Sequence, residues 1–155
     1  MFNYLFFLLK SSNQHGLHSP FVYNYLTKGL YEAKNLSESK QLNWIFKSIY
    51  YFQPKKIYVC NSLKNELSEY NSILTESVFN ADLILITNQN ENVIDDILDK
   101  IDANQILFII NKKYSPKLQS SLRQNREIVL LIDFYVGSLI SKRTEQLKQN
   151  FFLRL

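Results

Sequence analysis

Two uninterrupted apolar runs, "LILI" at 83–86 and "ILFII" at 106–110, constrain this chain more than any other feature. A strand with one wet face alternates apolar and polar residues, whereas a continuous run implies cover on both faces, as in the middle of a parallel sheet. Strands are therefore expected at 56–60, 81–87 and 105–111. Helices are expected between and after them, at 62 to about 74, 91 to about 101 and 115 to about 124. Ser115 and Pro116 supply a cap and a first-turn proline for the last of these. Crossovers of this length suit right-handed β-α-β units. Beyond them, "EIVLLIDFYVGSLISKR" holds two β-rich runs parted by a hinge ending at Gly137, the pattern of an antiparallel pair. A brief polar helix at 144–150 is expected to lead into "FFLRL", a last strand or extended tail.

The region before Pro54 reads as helical. Residues 2–10 form a short aromatic helix with neither the basic start nor the cleavage site of a signal peptide, and too short an apolar run to span a bilayer. Docking on the domain, lying on a membrane surface or mediating a dimer are the three uses open to it. Residues 11–20 break the pattern. Ser19 then caps and Pro20 opens a helix carrying Phe21, Val22, Tyr25, Leu26 and Leu30, which Gly29 weakens or ends. Ser39 caps another, with Leu42, Ile45, Phe46, Ile49 and Tyr50 as its apolar stripe, widened by Trp44 and Phe52. The expected organisation is a single domain, a helical region at 1–53 followed by an α/β core at 54–155.

With 46% apolar and 21% charged residues in 155, the chain has the composition of an ordinary soluble globular domain, not a disordered one. The net charge of +4 comes from dispersed cations, which argues against nucleic acid as a partner. A weak RNA-binding or anionic-surface module remains an alternative, built on Lys10, Lys28, Lys55, Lys56, Lys112, Lys113, Lys142 and Arg143. One cysteine, Cys60, excludes an internal disulfide and fits a reducing cytoplasm. It is expected in a buried strand.

His15 and His18, with no cysteine or acidic pair beside them, do not complete a metal site. Asp95, Asp96, Asp99 and Asp102 read as a solvated helix face. No serine, histidine and acid set declares itself, so no catalytic residue is assigned. The junction "CNSLKN" is the candidate ligand site, since exposed N–H groups at a helix start attract anions. Asn61, Ser62 and Asn65 are its residues, although asparagine side chains fill space that glycines leave open to a phosphate or cofactor. Asn111, Lys112 and Lys113, at a carboxyl strand end, form a second polar candidate, with a solvated loop as the alternative.

The stretch "HGLHSPFVYNYLTKGLY" and the ending "IDFYVGSLISKRTEQLKQNFFLRL" resemble the two ends of a bacterial, Bacteroidetes-type family of class I S-adenosylmethionine-dependent methyltransferase-like proteins. That resemblance implies a three-layer Rossmann-like fold, with a mostly parallel sheet and an antiparallel C-terminal strand pair. In the family's numbering the strands kept are 1-4-5-7-6, preceded by N-terminal helices. The interior departs from the family. Where members resemble "ILELGTSLG", this chain has "IYVCNSLKN", placing Val59 at the acidic position and Asn61 and Asn65 at glycine positions. Asn88 falls where a polar cofactor contact follows the next strand, and "NKKYS" stands for "DDIHWS", placing Asn111 and Tyr114 in the substrate region. The strand whose terminal acid holds the cofactor ribose is missing from this alignment, leaving the first strand as an edge.

The resemblance thus implies a shortened, degenerate member: a pseudoenzyme with a structural or protein-interaction role and no resident cofactor. Its expected partners are a second copy, through the exposed first strand or the N-terminal helices, or a full-length homologue. The alternative is a methyltransferase using S-adenosylmethionine in a pocket rebuilt around Asn61, Asn90, Asn111 and Tyr114.

Overall fold

A computed structural model of the chain describes residues 4, 7, 8, 11, 19–143 and 147–155. It divides into two compact units: Met1–Gln53 with Phe152–Leu155, and Pro54–Phe151. The closing residues 152–155 thus group with the helical region, not with the α/β core to which the sequence assigned them. His15, His18 and most of the "HGLHSP" turn lie outside the described residues, as does most of the aromatic helix expected at 2–10. Among the described residues no helix is long and apolar enough to cross a membrane.

In the helical unit, α1 (Pro20–Asn24) starts at Ser19, whose Oγ accepts from Val22 N at 3.4 Å. It runs into a π-helix, Tyr25–Tyr31, so Gly29 lies inside a helical segment and does not end it. The glycine admits a neighbour: a Cβ at Gly29 would lie 2.9 Å from Tyr51 Cγ. Helix α2 (Lys40–Phe52) is capped by Ser39 and stops at Gln53, whose φ of 47° is left-handed. Its buried face is Trp44, Ile45, Lys47, Ser48 and Ile49, while Tyr50 is 71% exposed. The stripe read from the sequence was centred one row away. The buried polar set explains the shift, because Trp44 Nε1 donates to Tyr25 Oη at 2.9 Å and Tyr25 Oη lies 2.7 Å from Ser48 Oγ. Burial pushes the Tyr25 phenol well above its usual range, despite its bonds to Ser48 and Trp44.

The second unit is built on a mixed sheet of β1 (Ile57–Val59), β2 (Leu74–Thr75), β3 (Leu83–Thr87), β4 (Ile106–Ile110), β5 (Leu130–Asp133), β6 (Gly137–Ser141) and β7 (Gln149–Phe152). The spatial order is β2-β1-β3-β4-β6-β5-β7. Strands β2, β1, β3 and β4 are mutually parallel, whereas β6 is antiparallel to both β4 and β5. Register places Ile84, Leu107, Ile140 and Leu131 in one row across four strands. That row packs with Ile94, Ile97 and Leu98 of α3 (Glu91–Lys100) and Leu118 and Leu122 of α4 (Pro116–Gln124). On the opposite face the row Val59, Leu85, Phe108, Leu139 and Ile132 is equally buried. The continuous apolar runs therefore mark double-sided burial, as their composition required. Asp95, Asp96, Asp99 and Asp102 are exposed.

Three expectations are corrected. The helix at 62–74 is instead two 3₁₀ segments, Asn61–Leu63 and Asn65–Ile73, the latter kinked at Leu67 (φ −110°, ψ 21°). Asparagine and serine compete with α-helical backbone bonds, and Leu67, Tyr70 and Ile73 recur every three residues, the period of a 3₁₀ face. Next, β1 is not an edge: β2 pairs with it in parallel, Ile57 with Leu74 and Tyr58 with Thr75. A dimer through an exposed first strand loses its basis. Finally, of the polar helix expected at 144–150, residues 144–146 lie outside the described residues and the described part is not helical: β7 begins at Gln149, whose N–H donates to Val129 O at 2.7 Å.

Candidate functional site

Open α/β sheets present ligands with the loops at the carboxyl ends of their parallel strands. At the end of β1, Cys60 is half-buried after the strand instead of within it, its Sγ 3.3 Å from Ser62 Oγ. Asn61, Ser62 and Asn65 are exposed. Leu63 N donates to Cys60 O and Lys64 N to Asn61 O, so the tight turn uses the Leu63 N–H, one of those that an α-helix start would offer an anion. A three-residue turn also lacks the aligned peptide dipoles that make such a start attractive to charge. Glu76 directly follows β2, and its carboxylate pairs with Lys64 Nζ at 2.9 Å. An acid thus follows the strand beside β1, where the chain was expected to lack both that strand and its acid, and it is tied to a cation from the β1 turn. Asparagine side chains stand where glycines would leave the backbone open, and the acid beside them is paired with Lys64.

One strand over, the polar groups converge. Asn88, after β3, donates through Nδ2 to Asn111 Oδ1 at 3.1 Å and to Lys113 O at 2.7 Å, and its Oδ1 accepts from Lys112 N at 2.9 Å. Asn111, at the end of β4 and 4% exposed, donates through Nδ2 to Tyr135 O at 2.8 Å. Three loops are thereby laced together by two asparagines. Asn90 is occupied as the cap of α3, accepting from Asn92 N at 3.1 Å. Asp82, at the other end of β3, accepts from Lys55 N and Lys56 N and anchors the entry to β1.

Beside this lacing, Tyr114 stacks on Tyr135, their centroids 4.5 Å apart, and donates its hydroxyl hydrogen to Asp133 Oδ2 at 3.0 Å. Tyr135 N donates to Asp133 Oδ1 at 2.9 Å, and Tyr135 holds a φ of 67°. That left-handed conformation is costly for an aromatic residue and is stabilised by the Asp133 bond and the stacked ring. Burial pushes the Asp133 carboxyl up to about 6, against the opposing pull of the Tyr135 and Tyr114 bonds and the Arg123 charge. Burial and the adjacent Asp133 carboxylate push the Tyr114 phenol well above its usual range.

The structure thus brings together Asn88, Asn111 and Tyr114 and sets Asn61, Ser62 and Asn65 apart at β1. Sequence reasoning missed Asp133 and Tyr135. The available signal was Asp133 itself, a lone acid closing the apolar run "IVLLID". Among the described residues no group of three histidine, cysteine or acidic side chains is placed to hold a metal ion.

No family model, curated protein or solved structure matches the chain.

Proposed function

We propose that this chain is a non-catalytic, methyltransferase-like α/β domain with a structural or protein-interaction role. One observation carries the reading: the asparagines at the carboxyl ends of β3 and β4 are spent on the neighbouring loops. Asn88 bonds to Asn111, Lys112 and Lys113, and Asn111 reaches Tyr135. Binding a cofactor there would mean breaking bonds that hold three loops, at about 1 kcal/mol net for each unless it is replaced. The strand order β1-β3-β4-β6-β5 supports the kinship, being the order the resemblance implies.

Calorimetric titration with S-adenosylmethionine tests this. The expected result is no saturable heat. A dissociation constant below about 100 micromolar, weakened by substitution of Asn61, would overturn the reading.

The second reading, a residual methyltransferase, draws support from Asp133, because a buried acid with raised proton affinity beside a tyrosine is the kind of group active sites use. It predicts cofactor binding in the same titration. For the interaction role, light scattering of the chain with and without residues 1–10 tests assembly through the aromatic helix. An unchanged mass would remove that route.

A further inference from the structure

The helical unit contains a cleft of about 490 Å³ lined by Tyr31, Asn35, Lys40, Asn43, Trp44 and Lys47 among others. A volume of this size accommodates a small organic ligand. Its floor holds an unusual group. Lys47 is 7% exposed, and its ammonium donates to Leu30 O at 2.7 Å. None of the ion pairs among the described residues involves it. Burying an ammonium is costly unless an opposite charge or several acceptors surround it. One carbonyl satisfies one of its three hydrogens.

The rest of the lining offers donors in excess. Asn43 Oδ1 accepts from Leu36 N at 2.8 Å and its Nδ2 donates to Asn35 Oδ1 at 3.1 Å. Both amide oxygens are thus engaged internally, leaving the Asn35 Nδ2 hydrogens and one on Asn43 for a ligand. Tyr31 directs its hydroxyl hydrogen to Arg154 O at 2.9 Å. Lys40 adds a second cation, and Glu38 is the one acid in the lining. The π-helix ends at this cleft, contributing Leu30 and Tyr31. Such helices recur at functional sites, where the extra residue in the turn redirects carbonyls.

We infer that this cleft binds a small molecule through a carboxylate or phosphate group, with Lys47 as the buried counter-charge and Lys40, Asn35 and Asn43 completing the donor set. The ligand's anionic group approaches Lys47, replacing the acceptors that the buried ammonium lacks. This site is independent of the strand-end network and of the reading given to it.

Trp44, the single tryptophan of the chain, lines the cleft and reports on it. The experiment titrates the full chain with sodium phosphate and, separately, sodium citrate, at constant ionic strength balanced with sodium chloride. Trp44 emission and the thermal midpoint are recorded. The expected result is a saturable emission change with one or both anions and a midpoint that rises with the same anion, since a ligand of the folded state stabilises it. The arm that saturates at lower concentration identifies phosphate or carboxylate as the recognised group. Lys47→Met is expected to weaken the response at least tenfold. Lys40→Gln and Asn35→Ala, exposed changes that leave α2 packing intact, are expected to weaken it several-fold. Lys112→Ala, in the other unit, leaves it unchanged. The inference is overturned if neither anion gives a saturable response, or if Lys40→Gln and Asn35→Ala respond like the parent. The latter result would hold even if Lys47→Met failed to fold.

Discussion

Replacing Asp133 with Asn should stabilise the protein at neutral pH and leave it unchanged in acid. The Asp133 carboxyl is 1% exposed and its proton affinity is raised from 3.8 to about 6. The folded chain therefore holds that proton more tightly than the unfolded chain does. The associated stability is fully present below about pH 4 and is lost as pH rises through about 6. Each pK unit is worth about 1.4 kcal/mol, so the ionised carboxylate costs the native state about 3 kcal/mol at pH 8. Asparagine has nearly the same shape. Its Oδ1 can keep the bond from Tyr135 N, and its Nδ2 can donate to Tyr114 Oη once the hydroxyl turns. Urea unfolding of both proteins from pH 4 to pH 8, followed by far-ultraviolet circular dichroism, cancels the titration of every other group in the difference. The expected difference grows from near zero to about 3 kcal/mol in favour of Asp133→Asn. A variant less stable than the parent at pH 8, or a difference independent of pH, would refute the reasoning and give Asp133 a favourable charged role.

Asn88→Ala removes three hydrogen bonds that join the loops after β3 and β4. It should cost about 2 kcal/mol in the same unfolding assay and accelerate amide exchange at Lys112. Gly29→Ala brings two effects into opposition: up to about 1 kcal/mol of helix propensity gained against overpacking of about 1–3 kcal/mol. Overpacking wins, because the contact is with Tyr51 Cγ at 2.9 Å, and that ring is itself packed against Tyr25 and Phe52. A net loss of about 1 kcal/mol in urea unfolding is expected.

Much of the fold was legible because its signals are local. "LILI" and "ILFII" mark β3 and β4, Ser115 and Pro116 open α4, and Ser39 caps α2, each through chemistry contained in a few residues. Other elements depend on distant partners. Two residues, Leu74 and Thr75, become β2 because β1 offers a free edge, and no periodicity can register a strand so short. The 3₁₀ course of residues 65–73 turned on reading Leu67, Tyr70 and Ile73 as a three-residue repeat within a stretch that also offers Leu63 four residues earlier. The strand-end network was half legible. Asn111 was singled out by its place at a strand end and Asn88 and Tyr114 by the resemblance, but Asp133, the partner of Tyr114, closes a different β-strand, β5. Lys47 was hidden for another reason: lysine in a helix reads as exposed, and its burial follows from the rotation of α2 that the Tyr25, Trp44 and Ser48 bonds impose.

The central proposal is that Asn88 and Asn111, at the carboxyl ends of β3 and β4, serve to hold the loops together and not to bind a cofactor. The side-chain amide resonances of Asn88 and Asn111, assigned in a ¹⁵N-labelled sample, test it most directly. The account predicts slowly exchanging signals for both side chains that stay in place as S-adenosylmethionine is added to millimolar concentration. Fast-exchanging signals that shift saturably with the cofactor would contradict it.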